Sequence, residues 1–204
     1  MITRLLILIN ILAYAWEVWT GALRSNEALY AHGALLPAAV IQDHQWWRIL
    51  SSAFLHGNIV HIGVNMLSLY WLGRFIEMAL GSARTLLVYI VSMIAAGLAV
   101  VYFAPPDTLT VGASGAIFGL FGALFAIGLR LRDRGTDLVR SNVGILVINL
   151  VYGFTFPGIA WQAHIGGLIA GFILTFLIFW PPQPVRTVAY DTATGAEYDS
   201  QLEQ

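Results

Sequence analysis

The chain has 204 residues, 58% of them hydrophobic and only 10% charged, with a mean hydropathy of +0.76. A soluble domain carries about 25% charge, so these values exclude an ordinary soluble globule and point to an integral membrane protein. The net charge of −1 and the lack of a basic cluster give no sign of a nucleic-acid partner, and with no cysteine there is neither a disulfide frame nor a thiolate nucleophile.

Six apolar stretches approach the roughly 20 residues that cross about 30 Å of hydrocarbon. In chain order they lie near 5–22, 59–80, 84–104, 111–130, 142–156 and 161–181, which predicts an all-α, polytopic bundle of six transmembrane helices over residues 1–181. The first stretch could be the apolar region of a signal peptide, but Trp16, Glu17 and Trp19 stand where a small-residue cleavage site is expected. Connections are brief except for 23–58, where Trp46-Trp47-Arg48 reads as an interfacial anchor, since Trp is enriched at the membrane boundary. The fifth stretch is short for a full crossing and is expected to be tilted or loosely packed. The polar tail 182–204, which opens Pro182-Gln183-Pro184, is expected to be disordered.

Arginine sets the orientation. Under six crossings Arg4, Arg74, Arg84, Arg130, Arg132, Arg134, Arg140 and Arg186 fall on one side, with Arg24 and Arg48 on the other. The positive-inside rule then makes both termini cytoplasmic.

Spacing also fixes depth. Ser114 precedes the cytoplasmic Arg130 by 16 residues, His164 precedes Trp180 by 16, and His61 precedes Glu77 by 16. At 1.5 Å per residue each sits roughly 24 Å from the inner interface, so the three share a level reachable by water from outside. Polar side chains at that depth persist mainly when paired or functional.

The chemistry that fits is nucleophilic acyl transfer, with Ser114 as nucleophile and His164 as the base that takes its proton. Ser114 lies in the first turn of its helix, whose backbone N–H groups lack intrahelical acceptors and can serve an oxyanion. His61 and Asn65, at i and i+4, can donate to the same spot. Taken alone, Gly112-Ala113-Ser114-Gly115 also suits small-residue packing, and Gly115-xxx-Gly119 and Gly167-xxx-Gly171 are expected to let helices approach closely.

Other protease chemistries fit poorly. A metalloprotease needs His-Glu-x-x-His or a similar set; His56 and His61, five apart, would lie on different helix faces, so no metal is expected. Asp107, Asp133 and Asp137 fall in connections, which argues against an aspartyl intramembrane protease. The soluble hydrolase elbow fails because Ala116 occupies its last glycine and no strand precedes it. A channel or transporter would show a continuous polar path or internal repeats, and neither is found.

Over nearly its whole length the chain resembles the rhomboid intramembrane serine proteases. Trp47-Arg48 is similar to the family's loop signature, His56, His61 and Asn65 to its His-xxxx-His-xxx-Asn pattern, and Gly73-xxx-Glu77-xxx-Gly81 to its second-helix motif. Gly112-Ala113-Ser114-Gly115 and His164-xx-Gly167-xxx-Gly171 complete the set in order. The resemblance implies the minimal bacterial six-helix bundle in the cell's inner membrane.

It also implies a Ser114–His164 dyad without an acid, and an oxyanion hole from His61, Asn65 and Ser114, with Ala113 beside them. Phe118 stands where many members carry a Tyr packed on the histidine; it can stack on His164 but cannot hydrogen-bond. The loop 23–58 would brace the bundle from the outer leaflet, with Arg48 satisfying polar groups there, or serve as an interfacial anchor alone. Glu77 reads as a structural carboxyl bonded to neighbouring helices. Phe154-Thr155-Phe156-Pro157-Gly158 resembles the mobile gate and cap, where Pro and Gly interrupt the helix. Implied substrates are transmembrane segments of other membrane proteins in the lipid bilayer, cut after a small residue, with no cofactor. The competing expectation is a catalytically silent rhomboid-like protein that binds membrane clients; inactive relatives generally lack the Ser or the His, and this chain keeps both.

Overall fold

The structure is a computed structural model that describes residues 1–131, 133–155, 160–181, 188–190 and 197–199. Among these residues the regular structure is helical except for two short strands. Helix α1 (Ile2–Thr20) leads through short helices α2 (Asn26–Ala31), α3 (Pro37–Gln42) and α4 (Arg48–Ser51) to α5 (Ile59–Ser68) and α6 (Arg74–Leu80), which a π-helical turn at Leu69–Gly73 joins into one rod. Then follow α7 (Ser82–Phe103), α8 (Ser114–Leu131), α9 (Asp133–Thr155) and α10 (Trp161–Ile178).

Among the described residues, five helices are long and apolar enough to cross a membrane: Ile2–Thr20, Ile59–Leu80, Ser82–Phe103, Ser114–Leu131 and Trp161–Ile178. Side chains such as Leu12, Trp19, Phe103, Ile173 and Leu177 point outward from them, as a hydrocarbon solvent requires. The chain is therefore a multi-pass membrane protein. The remaining expected span, 142–156, falls in α9, whose first turns carry Asp133, Arg134, Asp137 and Arg140. Its cap is split: Phe154 and Thr155 close α9, while Phe156, Pro157 and Gly158 lie outside the described residues. The expected disorder of the tail likewise falls largely outside them. Val188–Tyr190 and Glu197–Asp199 pair as antiparallel strands β1 and β2.

Helix α8 is the centre of the bundle. Ile117, Leu120, Phe121, Leu124 and Ile127 are buried on several of its faces, against Leu69, Leu72, Ile76, Val88 and Tyr89 from the α5–α6 rod and α7. Its contact with α10 is closer than ordinary helix packing, because glycines on both helices remove the intervening side chains. A Cβ on Gly167 would lie 1.9 Å from the Gly115 carbonyl oxygen, and one on Gly171 would lie 2.0 Å from that of Gly119. The expectation drawn from the paired Gly-xxx-Gly spacings is met by this backbone contact.

Several buried polar groups form joints between helices. Glu77 accepts hydrogen bonds from Ile2 N (2.7 Å), Thr3 N (3.2 Å), Thr3 Oγ1 (2.7 Å) and Ser82 Oγ. The carboxylate thereby caps α1, whose own N-cap residue offers no side-chain bond, and ties it to the start of α7. Four residues before Glu77, Gly73 lets α1 come close: a Cβ there would sit 3.0 Å from Thr3 Cγ2. On the other side of the bundle Asn149 Nδ2 donates to Ser68 Oγ at 2.6 Å, joining α9 to α5.

The segment 23–58 is folded against the bundle rather than lying loose at its surface. Leu35 and Thr110 exchange backbone hydrogen bonds at 2.9 Å, Ala38 N donates to Pro106 O, and Gly112 N donates to Ser52 O at 2.9 Å. Arg48 is buried and donates from Nη1 to the carbonyls of Tyr30 (2.7 Å) and Ala34 (2.8 Å), with its guanidinium 4.0 Å from the Tyr30 ring centroid. Bracing is thus the reading of the two that these contacts favour, and Trp46 and Trp47 remain half exposed beside it.

Because no atom can move aside at a backbone-to-backbone contact, Gly171→Ala is expected to force α8 and α10 apart. Stability in detergent should fall by about 1–3 kcal/mol, read from the unfolding transition; an unchanged transition would show that the helices separate without cost.

Candidate active site

Ser114 opens α8, and His164 lies in the first turn of α10. Each stands just N-terminal to a glycine of the close contact, Ser114 one residue before Gly115 and His164 three before Gly167. The helices therefore meet first where these side chains project, and His164 Nε2 lies 2.9 Å from Ser114 Oγ. The two residues, expected from their spacing to stand at one level, are in direct contact. Phe118, one turn beyond Ser114, stacks flat on the imidazole with centroids 4.0 Å apart and planes 5° from parallel. His164 is thus held by a hydroxyl at its edge and an aromatic plate on its face, almost wholly out of solvent.

The approach to Ser114 is shaped by Gly112. Its φ of 120° is a backbone conformation that side chains with a Cβ avoid, and a Cβ there would lie 2.7 Å from His61 Nε2 and 3.8 Å from Asn65 Nδ2. His61 and Asn65 are thus both brought beside the Gly112–Ser114 turn from α5. Asn65 Nδ2 donates to the His61 carbonyl at 3.1 Å, which uses one of its two hydrogens. Ala113 is fully buried, and its carbonyl accepts from Ile117 N, so the helix begins at the serine.

His56 differs from expectation. Helical spacing would place it and His61 on different faces, but His56 precedes α5, and the chain turns at Gly57 and Asn58 before the helix begins. The two rings pack edge to face with centroids 5.2 Å apart. Burial, with His61 beside it, pushes the His56 imidazole pKa down to about 3, so the ring is neutral. Its Nδ1 lies 3.2 Å from the Phe54 carbonyl, which assigns the ring proton to Nδ1. Among the described residues no group of three or more His, Cys, Asp or Glu side chains is placed to hold a metal ion.

The family model described as "Rhomboid domain" matches residues 43–181. The chain belongs to the rhomboid family. It is 37% identical over 171 residues to "Rhomboid protease GluP" of Bacillus subtilis, covering 83% of this chain and 33% of that protein. It is 36% identical over 163 residues to "RHOMBOID-like protein 2" of Arabidopsis thaliana, covering 78% of this chain and 50% of the relative. "Putative rhomboid protease YdcA" of Bacillus subtilis is 36% identical over 138 residues, 67% of this chain and 69% of the relative. The chain spans a third of GluP and half of RHOMBOID-like protein 2. Rhomboid proteases are hydrolases of the membrane, and this chain shares their family and has several helices apolar enough to cross a membrane.

In this rhomboid chain Arg48 and Glu77 stand away from the Ser114–His164 contact and act on the frame, in the loop and at the α1–α6–α7 joint. Gly115, Gly167 and Gly171 act through the helix contact described above. Sequence reading missed Glu17, fully buried at the end of α1, whose two carboxylate oxygens accept from His56 N at 3.0 and 2.9 Å. A lone carboxylate at the end of an apolar span was the available signal. The Asn149–Ser68 bond was missed for want of any sequence rule pairing residues 81 apart.

Gly112→Ala is expected to displace His61, since the new methyl would occupy the place of the imidazole edge and the φ would be strained. The displacement should appear as a shift of the His61 ring resonances in labelled protein that remains folded; unmoved resonances would show that the turn absorbs the methyl instead.

Proposed function

We propose that the chain is an intramembrane serine endopeptidase that cleaves transmembrane segments of other membrane proteins near the outer face, by a Ser114–His164 dyad. The observation that carries this reading is the 2.9 Å separation of Ser114 Oγ and His164 Nε2 at the head of two apolar helices. Nε2, acting as base, takes the hydroxyl proton as Oγ attacks the scissile carbonyl carbon. The tetrahedral oxyanion is stabilised by backbone N–H groups at the head of α8, where Ala113 and Ser114 lie, and by the side chains of His61 and Asn65. Asn65 retains a second Nδ2 hydrogen for that purpose. His164 then protonates the leaving amine, and water, activated by the same imidazole, releases the acyl group from Ser114. Phe118 limits the imidazole's rotation by stacking alone. Neither metal nor cofactor is required.

Beside Ser114 a cleft is lined largely by small residues, among them Ala96, Gly97, Gly115, Ala160 and Ala163. This supports preference for a small side chain before the scissile bond. A helical substrate must unwind locally to present its carbonyl, which favours segments with Gly or Pro near the outer surface. On this reading α9 is the sixth crossing and the movable wall through which substrate enters from the bilayer. Both termini are cytoplasmic and the membrane is the inner one. Arg130 at the end of α8 supports a shared inner end for α8 and α10, since its Nη2 donates to Phe176 O and the guanidinium lies over Trp180.

Cleavage of a fluorescent transmembrane-segment substrate in proteoliposomes tests the proposal. Ser114→Ala and His164→Ala should each lower turnover by at least about 10³-fold, while added chelator changes nothing. A folded parent that neither cleaves several such substrates nor takes a mechanism-based label at Ser114 would overturn it. In an active parent, replacing the small residue before the scissile bond by Trp should abolish cleavage at that bond; retained cleavage would refute the size limit.

A further inference from the structure

Glu17 is the one acidic residue of α1, and its side chain is wholly buried between the helix and the segment that enters α5. A carboxylate in that position is costly unless its oxygens are bonded. Both oxygens converge on a single group, the backbone N–H of His56, at 3.0 and 2.9 Å. Two residues on, Asn58 Oδ1 accepts from His61 N at 2.8 Å, so the turn between α4 and α5 is pinned at both ends. Between the pins the fully buried His56 ring presents its edge or face to the His61 ring at 5.2 Å. His61 Nε2 in turn occupies the space that a side chain on Gly112 would need, 2.7 Å from where its Cβ would stand, two residues from Ser114. A continuous packed path therefore runs from α1 to the turn before the serine, although Glu17 itself touches none of the residues there.

We propose that Glu17 is a positioning residue for the oxyanion side of the site, fixing His56 through its backbone and, through the buried His56 ring, the orientation of His61. The inference rests on the reading of Ser114 and His164 as a catalytic dyad. Glu17 acts on neither of them. Its removal loosens the turn at His56 and lets the His61 ring swing from the place where an oxyanion forms, so that substrate binds as before and reacts more slowly. A shell of this kind differs from a purely structural tie in one respect: its effect passes through His61 and vanishes when His61 is absent.

The test is a double-mutant cycle on the full chain in proteoliposomes, with Glu17→Ala, His61→Ala and the double variant, and Glu17→Gln in the same cycle should the alanine variant not fold. Glu17→Ala is expected to lower kcat about tenfold, less than the loss of a whole oxyanion donor, with KM unchanged. In the His61→Ala background the same change should alter kcat by less than about twofold. Glu17→Gln, which keeps one acceptor oxygen on His56 N, should recover part of the rate. Equal losses in both backgrounds, a rise in KM with kcat unchanged, or no loss in the parent background would overturn the positioning role. An inert parent would instead strike at the dyad reading, and it is told apart by the absence of serine labelling before any Glu17 variant is measured.

Discussion

The contact of α8 with α10 through facing glycines is the constraint on which the rest of the site depends. A hydrogen bond between two side chains on separate helices requires those helices to be fixed in separation, rotation and depth. In a bilayer no hydrophobic force drives one apolar helix against another, so close packing must supply the attraction. Gly115 and Gly119 against Gly167 and Gly171 allow backbone to meet backbone, and such a contact has little freedom to slide or turn. Ser114 and His164 project from the ends of that seam, and their 2.9 Å separation is a consequence of it.

Around this seam the polar residues share a common pattern. Glu77, Glu17, Arg48 and Asn149 are each buried, and each satisfies groups on a different segment of chain. In hydrocarbon an unpaired polar group is so unfavourable that such residues bond wherever the fold allows, which makes them specific joints as well as stabilising ones. The two glutamates fasten opposite ends of α1, one to α6 and α7, the other to the turn before α5. Helix α1 thus acts as a strut that fixes where α5, carrying His61 and Asn65, can stand relative to α8.

Much of this was legible without coordinates. The apolar stretches near 59–80, 84–104 and 111–130 fall within a few residues of Ile59–Leu80, Ser82–Phe103 and Ser114–Leu131, because hydrocarbon thickness leaves a length signature that no neighbour can override. That Ser114, His61 and His164 would stand near one another was expected from counting residues at 1.5 Å each. The fifth span was less legible, because α9 begins in a charged stretch and extends well before residue 142. The relation of His56 to His61 was misread because helical spacing was applied across a turn. The placement of the loop 23–58 rested on backbone pairs such as Leu35 with Thr110, which leave no side-chain pattern to read.

By itself the sequence determined the solvent of this protein, the lengths and order of most of its helices, and which polar side chains were candidates to meet. These depend on local composition and on a fixed rise per residue. Only the tertiary structure decided which of those side chains touch, that Phe118 lies flat on His164, and that Glu17 reaches His56 across 39 residues. Such pairings depend on the rotation of each helix about its axis, and that rotation is set by how small residues on several helices fit together at once.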